Sequence, residues 1–230
     1  MSGISTSPLA KAYLAPFLVF VALLAAGELI GHFGEGSSDW WLDEPKYWVY
    51  PLQTVACAAL LIRFWRRFEF NWGRGWWLGA IVGVAAFVVW VAPQEWLGAA
   101  RRVGGFDLWF TFGEHGPQEW NLPLRVLRLV IVVPLIEEIF WRGFLLRHLV
   151  GDPFDQVPPG TRSWRAFATV AALFAVAHFG PDFWPALITG VLYNSVAYLT
   201  RSIGACVIAH GVTNLLLGLY IFRTQQWGFW

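Results

Sequence analysis

Charged residues are scarce in this sequence. They make up 13% of its 230 residues, whereas 57% of the residues are hydrophobic. Soluble domains carry about 25% charged residues, so this chain lacks the polar residues that a water-exposed surface needs. The formal net charge is +1, and no basic stripe exists outside the short loops, which argues against nucleic acid as a partner. The composition therefore predicts an integral membrane protein.

Cysteine and the common hydrolase signatures are also rare or missing. The two cysteines, Cys57 and Cys206, lie in apolar runs without Cys-x-x-Cys spacing, so we expect buried free thiols rather than a disulfide framework or a structural zinc site. Neither the nucleophile elbow Gly-x-Ser-x-Gly nor the zinc-protease signature His-Glu-x-x-His occurs. The sequence has no internal repeat, which disfavours a transporter or channel that relays protons.

Long apolar segments run through most of the chain. Seven of them come close to the ~20 residues that cross a bilayer as a helix. They cover residues 13–30, 47–62, 76–93, 122–147, 166–180, 184–200 and 203–222. The sequence therefore predicts an all-α fold, a polytopic transmembrane helical bundle of about seven spans. The connection 94–121 leaves open an eighth or re-entrant segment.

Arginines in the loops predict how these spans are oriented. They lie between the second and third spans and after the fourth and sixth spans: Arg63, Arg66, Arg67, Arg74, Arg147, Arg162, Arg165 and Arg201. In a seven-span arrangement these loops share one side with Lys11, and loops rich in lysine and arginine face the cytoplasm. We therefore expect a cytoplasmic N-terminus.

Three charged residues interrupt the fourth span, within the segment IEEIFWRGF at 136–144. A charge near the bilayer centre costs roughly 2.5–3.5 kcal/mol on insertion scales, so these residues need a reason to be there. Glu138 and Arg142 are one helical turn apart and can neutralise each other. Glu137 is turned about 100° away on the helix and needs a partner from elsewhere.

Two other spans carry polar residues. His178 lies in the fifth span, and His210 and Asn214 lie one helical turn apart in the seventh span. A carboxylate in a partly desolvated pocket can take a proton from water, and an imidazole can orient that water. A second imidazole and a carboxamide can donate hydrogen bonds to the oxyanion that forms when a carbonyl is attacked. This set predicts peptide hydrolysis by an activated water. Zinc held by Glu137, His178 and His210 is the competing hypothesis.

The polar residues form three motifs that follow one another along the chain. Glu-Glu-x-x-x-Arg spans 137–142, Phe-x-x-x-His spans 174–178 and His-x-x-x-Asn spans 210–214. Together they resemble the type II CAAX prenyl endopeptidases and the bacterial CAAX protease and bacteriocin-processing family, which are glutamate intramembrane proteases. The size and aromatic richness are similar to the CAAX protease-related proteins associated with bacterial exosortase systems.

The resemblance covers residues 122–222, which form a protease-like core. A membrane region at 1–121, with three spans and an amphipathic loop, precedes this core, and a tail at 223–230 follows it. It implies a peptide or protein substrate in or at the membrane, without a metal or another cofactor. It also implies a multi-pass protein of the bacterial inner membrane, surrounded by lipid, with a protein-sorting system as a partner.

The resemblance further implies a role for each motif residue. Glu137 would activate the water and His178 would help to hold it. His210 and Asn214 would form the oxyanion site. Glu138 and Arg142 would be a structural ion pair. A catalytically silent membrane scaffold, serving a sorting or immunity system, is the alternative that motif residues alone leave open.

Overall fold

The computed structural model describes residues 7–102, 104–107 and 121–229, and within these ranges the chain is helical and contains no strand. Ten α-helices follow one another: α1 Pro8–Gly34, α2 Trp40–Asp43, α3 Lys46–Phe64, α4 Trp76–Glu95, α5 Asn121–Leu127, α6 Val133–Glu138, α7 Leu146–His148, α8 Trp164–Ala177, α9 Phe183–Thr200 and α10 Ile203–Thr224. Single 3₁₀ turns occupy Trp65–Arg67, Phe154–Gln156 and Trp227–Phe229. The predicted all-α fold is confirmed.

Four helical stretches of the described chain are long and apolar enough to cross a membrane. They are Pro8–Gly34, Lys46–Arg67, Trp76–Glu95 and Ile203–Thr224, and the shorter α8 is also apolar. The expected count of seven spans is not established by this finding, because the charged fourth segment, the short α8 and α9 do not meet the same criteria. Half of the connection in which an eighth segment was considered, residues 103 and 108–120, lies outside the described residues.

Residues 121–148 form one continuous helix at the centre of the bundle. Two π-helical stretches, Arg128–Val132 and Ile139–Leu145, connect α5 to α6 and α6 to α7. All six residues of α6 are buried, including its two glutamates. A helix that is buried all round lies inside a protein rather than on its surface. The two glutamates are therefore surrounded by other helices instead of lipid.

Serine residues fix where the outer helices begin. Ser7, Ser163 and Ser202 each accept a hydrogen bond from the backbone N–H three residues later, at the starts of α1, α8 and α10. Such N-caps satisfy a donor that the first turn of a helix leaves free. Ser202 also donates to the Phe70 carbonyl at 3.0 Å, which ties the start of α10 to the chain between α3 and α4.

Glycines bring α4 into close contact with α10. A Cβ atom on Gly79 would lie 2.3 Å from the Ala205 carbonyl oxygen, and one on Gly83 would lie 2.5 Å from the Ala209 carbonyl oxygen. Small residues four positions apart on both helices are the usual way in which membrane helices pack closely. This crossing sets the position of His210, which directly follows Ala209.

Candidate active site

A cavity of about 480 Å³ lies between α1, the central helix, α8, α9 and α10. Glu137, His178, His210 and Asn214 all line it, so the structure brings the four predicted catalytic residues to one place. Much of the remaining wall is aromatic: Phe17, Phe20, Tyr50, Trp90, Trp141, Phe174, Tyr193 and Phe229. The polar groups of this cavity are thus set in a largely apolar wall, where electrostatic interactions are stronger than in water.

The Glu137 carboxylate lines the cavity without accepting a hydrogen bond from any residue that the structure describes. The residue is 8% exposed, and its Oε2 atom is buried without a hydrogen bond. Buried carboxylates normally accept hydrogen bonds, from protein or from ordered water. A water molecule in the cavity is the simplest partner for this carboxylate.

Glu138 and Arg142 form an ion pair, with 3.0 Å between Oε1 and Nη1 and both side chains fully buried. The guanidinium is held from two further directions. Its Nε donates to Oδ1 of Asn194 at 3.1 Å, and Nη2 donates to the Gly190 carbonyl at 3.4 Å. These contacts attach the central helix to α9.

His210 contacts the same carboxylate oxygen from α10, since its Nδ1 lies 3.0 Å from Oε1 of Glu138. A carboxylate paired with arginine only accepts hydrogen bonds, so Nδ1 carries the hydrogen. The ring nitrogen that remains for chemistry is Nε2. It is an acceptor when the ring is neutral and a donor when the ring is protonated.

His178 lies at the end of α8 rather than inside a span. The apolar segment predicted here runs to residue 180 with its end left open, and the structure ends the helix at Ala177. Gly180 has a φ of +92°, and Pro181 follows, so the chain turns where an α-helix cannot continue. The Nδ1 atom of His178 donates to the Phe174 carbonyl at 2.8 Å, which leaves Nε2 as an acceptor in the neutral ring.

Asn214 is fixed by a carbonyl of the central helix. Its Nδ2 donates to the Leu129 carbonyl at 2.8 Å. In the π-helical stretch the N–H of Val133 bonds to the Arg128 carbonyl, five residues back. In this register the next N–H would reach Leu129, but that position is Pro134, which has none. The proline therefore leaves free the carbonyl on which Asn214 docks, and one N–H of the amide group remains.

Two further residues at the site, Asn194 and Arg128, were not predicted from the sequence. Asn194 is fully buried and bridges Arg142 to the Phe167 carbonyl, to which its Nδ2 donates at 2.9 Å. A single asparagine in the apolar run of α9 was the signal that could have indicated it. Arg128 lies inside the predicted fourth span and was given no role, yet it is buried and lines the cavity.

The structure also bears on the zinc hypothesis. In the ranges 7–102, 104–107 and 121–229, no group of three or more His, Cys, Asp or Glu side chains is arranged to hold a metal ion. Glu137, His178 and His210 share the cavity wall, but they do not form such a group. A zinc site at these residues would require the side chains to move closer together.

Residues 119–216 match the family model described as Type II CAAX prenyl endopeptidase Rce1-like. No curated protein and no solved structure matches the chain. The matched segment contains the three motifs and all the catalytic candidates that line the cavity. The model describes a family of membrane proteases, and the apolar helices of this chain are those of an integral membrane protein. We conclude that residues 119–216 form a domain of the CAAX protease family.

Proposed function

We propose that this protein is an intramembrane endopeptidase, which hydrolyses a peptide bond of a membrane-associated peptide or protein with a water activated by Glu137. One observation carries the proposal. The buried Glu137 carboxylate has no protein partner in the described chain, and it shares a cavity with His178, His210 and Asn214. A base held in this way is available to water and to substrate alike.

In the first step, Glu137 takes a proton from the bound water as the water oxygen attacks the carbonyl carbon of the substrate. The other hydrogen of the water stays on its oxygen and forms a hydrogen bond to Nε2 of His178, whose Nδ1 donates to the Phe174 carbonyl. Glu137 then returns its proton to the amine of the leaving peptide. A carboxyl end and an amino end are the products, and no covalent enzyme intermediate forms.

In the same step, the carbonyl oxygen of the substrate becomes an oxyanion. The N–H of Asn214 that is not bound to Leu129 serves as one donor to it. Nε2 of His210 supplies a second donor when the ring carries a hydrogen on both nitrogens, and Glu138 accepts from Nδ1 on the other side. Removing one donor of this type from an active site costs about 2.7–4 kcal/mol of barrier.

Glu138 and Arg142 act by positioning. Together with Asn194 they hold His210 against the central helix, so that Nε2 keeps its place relative to Glu137. A catalytic side chain that is held by a hydrogen bond, whose partner is held in turn by further contacts, keeps its position to within fractions of an ångström.

The remaining sequence-based expectations belong to the same proposal. The protease core comprises residues 122–222, preceded by a membrane region at 1–121 and followed by a short tail. The protein lies in a bacterial inner membrane with its N-terminus in the cytoplasm, and a bacterial protein-sorting system is its partner. The arginine-rich loops support the orientation, and the aromatic composition supports the sorting partner.

Co-expression with candidate membrane proteins tests the proposal. Cells that make the wild-type protein should accumulate a shortened form of the substrate, and cells that make Glu137→Ala should not. If both strains process every candidate equally while both proteins are folded in the membrane, the alternative of a catalytically silent scaffold replaces the protease.

A further inference from the structure

The arginine-rich loops, which were predicted to share one side of the membrane, meet at one end of the helical bundle. Arg147, near the end of the central helix, forms an ion pair with Glu69, with 3.2 Å between Nη1 and Oε2. The hydroxyl of Ser202 donates to the carbonyl of Phe70 at 3.0 Å. Both contacts involve the loop between α3 and α4, which therefore holds the three connections together. We call this end the arginine end, and it comprises residues 65–75, 149–163 and 201–202.

Buried aromatic side chains lie between the cavity and the arginine end. The ring centroids of Tyr13 and Phe154 are 5.2 Å apart, and those of Phe144 and Phe154 are 5.0 Å apart. All three residues are buried, and none of them belongs to the described wall of the cavity. Phe144 follows Glu137 by seven positions along the central helix, toward the arginine end. A second buried cluster closes the side of α8, α9 and α10, and it includes Val170, Val196 and Cys206.

In the other direction, the cavity continues to the opposite end of the bundle. Along the central helix its wall runs from Trp141 back to Arg125, about 24 Å at a rise of 1.5 Å per residue. The wall also includes Asp182, directly before α9, and Phe229, in the last 3₁₀ turn. Both residues follow helices, α8 and α10, that begin at the arginine end. The cavity therefore leads from Glu137 away from the arginine end.

A polar recess adjoins the cavity at this opposite end. It has a volume of about 520 Å³ and shares Leu24 and Tyr50 with the cavity wall. Glu28 and Glu35, at the end of α1 and directly after it, line the recess and are exposed. Charged side chains of a membrane protein lie in water rather than in lipid, because burying a charge in hydrocarbon is costly. The recess thus provides an aqueous mouth next to the cavity.

We propose that the cavity opens to the face of the membrane opposite the arginine end, and that Glu137 acts on peptide segments exposed at that face. This inference rests on the proposed function, because it names the substrate class of the same cavity. With the N-terminus in the cytoplasm, the arginine end is cytoplasmic and the opening is extracytoplasmic. The substrate is then a membrane-associated peptide or protein that presents its cleavage site outside the cytoplasm.

Labelling of single cysteines tests the side of the opening without any need for cleavage. The probe is a maleimide that does not cross membranes, added to intact bacterial spheroplasts that make the full-length protein. Ala177→Cys places a thiol at an exposed position of the cavity wall, and Leu24→Cys places one where the cavity meets the recess. The native Cys57 and Cys206 are buried, so the wild-type protein should take up no label.

Two exposed positions outside the cavity report the two faces of the membrane. Ser38→Cys lies between α1 and α2 at the opposite end, and Gly73→Cys lies at the arginine end, where a Cβ atom meets no other atom within 4 Å. In intact spheroplasts we expect both cavity cysteines to be labelled as fully as Ser38→Cys. Gly73→Cys should take up label only after the membrane has been permeabilised. Thermal unfolding in detergent shows that each variant is folded.

The proposal is overturned if a folded cavity variant takes up label only together with Gly73→Cys, because the cavity would then open at the arginine end. It is equally overturned if a folded cavity variant takes up no label while both reference positions react. Label on Gly73→Cys but not on Ser38→Cys in intact spheroplasts would reverse the orientation and place the opening in the cytoplasm, which also contradicts the proposal. A protein that shows the expected labelling and cleaves nothing would refute the proposed function and leave the side of the opening established.

Discussion

Glu138 and His210 are 72 positions apart in the sequence, and they are joined by a hydrogen bond of 3.0 Å. The oxygen of Glu138 that accepts this bond also accepts from Arg142 at 3.0 Å. The first motif of the chain therefore supports the third motif directly. The ion pair does more than neutralise a charge inside the bundle, because it orients an imidazole of the cavity wall.

Removing one member of this pair should destabilise the protein. Glu138→Gln or Arg142→Gln alone leaves an uncompensated buried charge, a loss of about 3–5 kcal/mol in the free energy of unfolding. The double variant should recover part of that loss, as measured by thermal unfolding in detergent. Activity should not return with stability, because His210 still lacks the carboxylate that holds it.

A matched control uses the ion pair of Lys46 and Glu44, whose side chains are 27% and 28% exposed. Glu44→Gln should change the free energy of unfolding by only about 0–1 kcal/mol. Single variants of the buried pair that are as stable as this control, yet inactive, would show that Glu138 and Arg142 act in the chemistry itself.

Asn214→Ala should slow cleavage by about 100- to 1000-fold. The variant loses one donor to the oxyanion, which is worth about 2.7–4 kcal/mol of barrier. It also leaves the Leu129 carbonyl without the bond of 2.8 Å that it accepts from Asn214, so unfolding is measured beside the rate. Ser195→Ala is the control, since this half-buried residue donates its hydroxyl hydrogen to the carbonyl of Val191 in its own helix. A near-normal rate in Asn214→Ala would remove this residue from the oxyanion site.

Gly83→Ala should destabilise the protein and disturb the site. The new Cβ would lie 2.5 Å from the Ala209 carbonyl oxygen, so α4 and α10 would have to separate next to His210. Overpacking of this kind costs about 1–3 kcal/mol, measurable as a lower midpoint of thermal unfolding. Gly218→Ala, in α10, places its Cβ where no atom lies within 4 Å and serves as the control. Equal midpoints for the two variants would contradict the close crossing of these helices.

Chelation distinguishes the glutamate mechanism from the zinc hypothesis. A catalytic zinc site uses three protein ligands and one open position, so a zinc enzyme should purify with about one metal per chain and lose activity to a strong chelator. We expect activity to resist the chelator and the metal content to be well below one per chain. Stoichiometric zinc whose removal abolishes cleavage, and whose return restores it, would overturn the water-activating role of Glu137.

Local spacing was enough to predict part of this site. Glu138 and Arg142 lie one turn apart, and a helix of either the α or the π type brings such positions together. The family resemblance, based on motifs of the same short range, indicated the four residues that line the cavity. What these predictions share is that each depends on residues within one helical turn.

Contacts between helices could not be predicted in the same way. The bond between Glu138 and His210 and the bridge through Asn194 depend on how the central helix packs against α9 and α10. The end of α8 at Ala177 depends on the turn at Gly180, where apolar periodicity alone favoured a longer helix. The number of membrane spans was the hardest feature to predict from the sequence, because a buried charged helix and a membrane-spanning helix have similar lengths.

The most direct test of the account replaces Glu137 by glutamine, which has the same shape but cannot take a proton from water. The rate at which purified protein in liposomes cleaves a membrane substrate is measured for the wild type, for Glu137→Gln and for Glu28→Gln, an exposed carboxylate of α1 away from the cavity. The account predicts that Glu137→Gln folds and inserts normally and has no detectable turnover, whereas Glu28→Gln cleaves at the wild-type rate. Wild-type turnover by folded Glu137→Gln would contradict it.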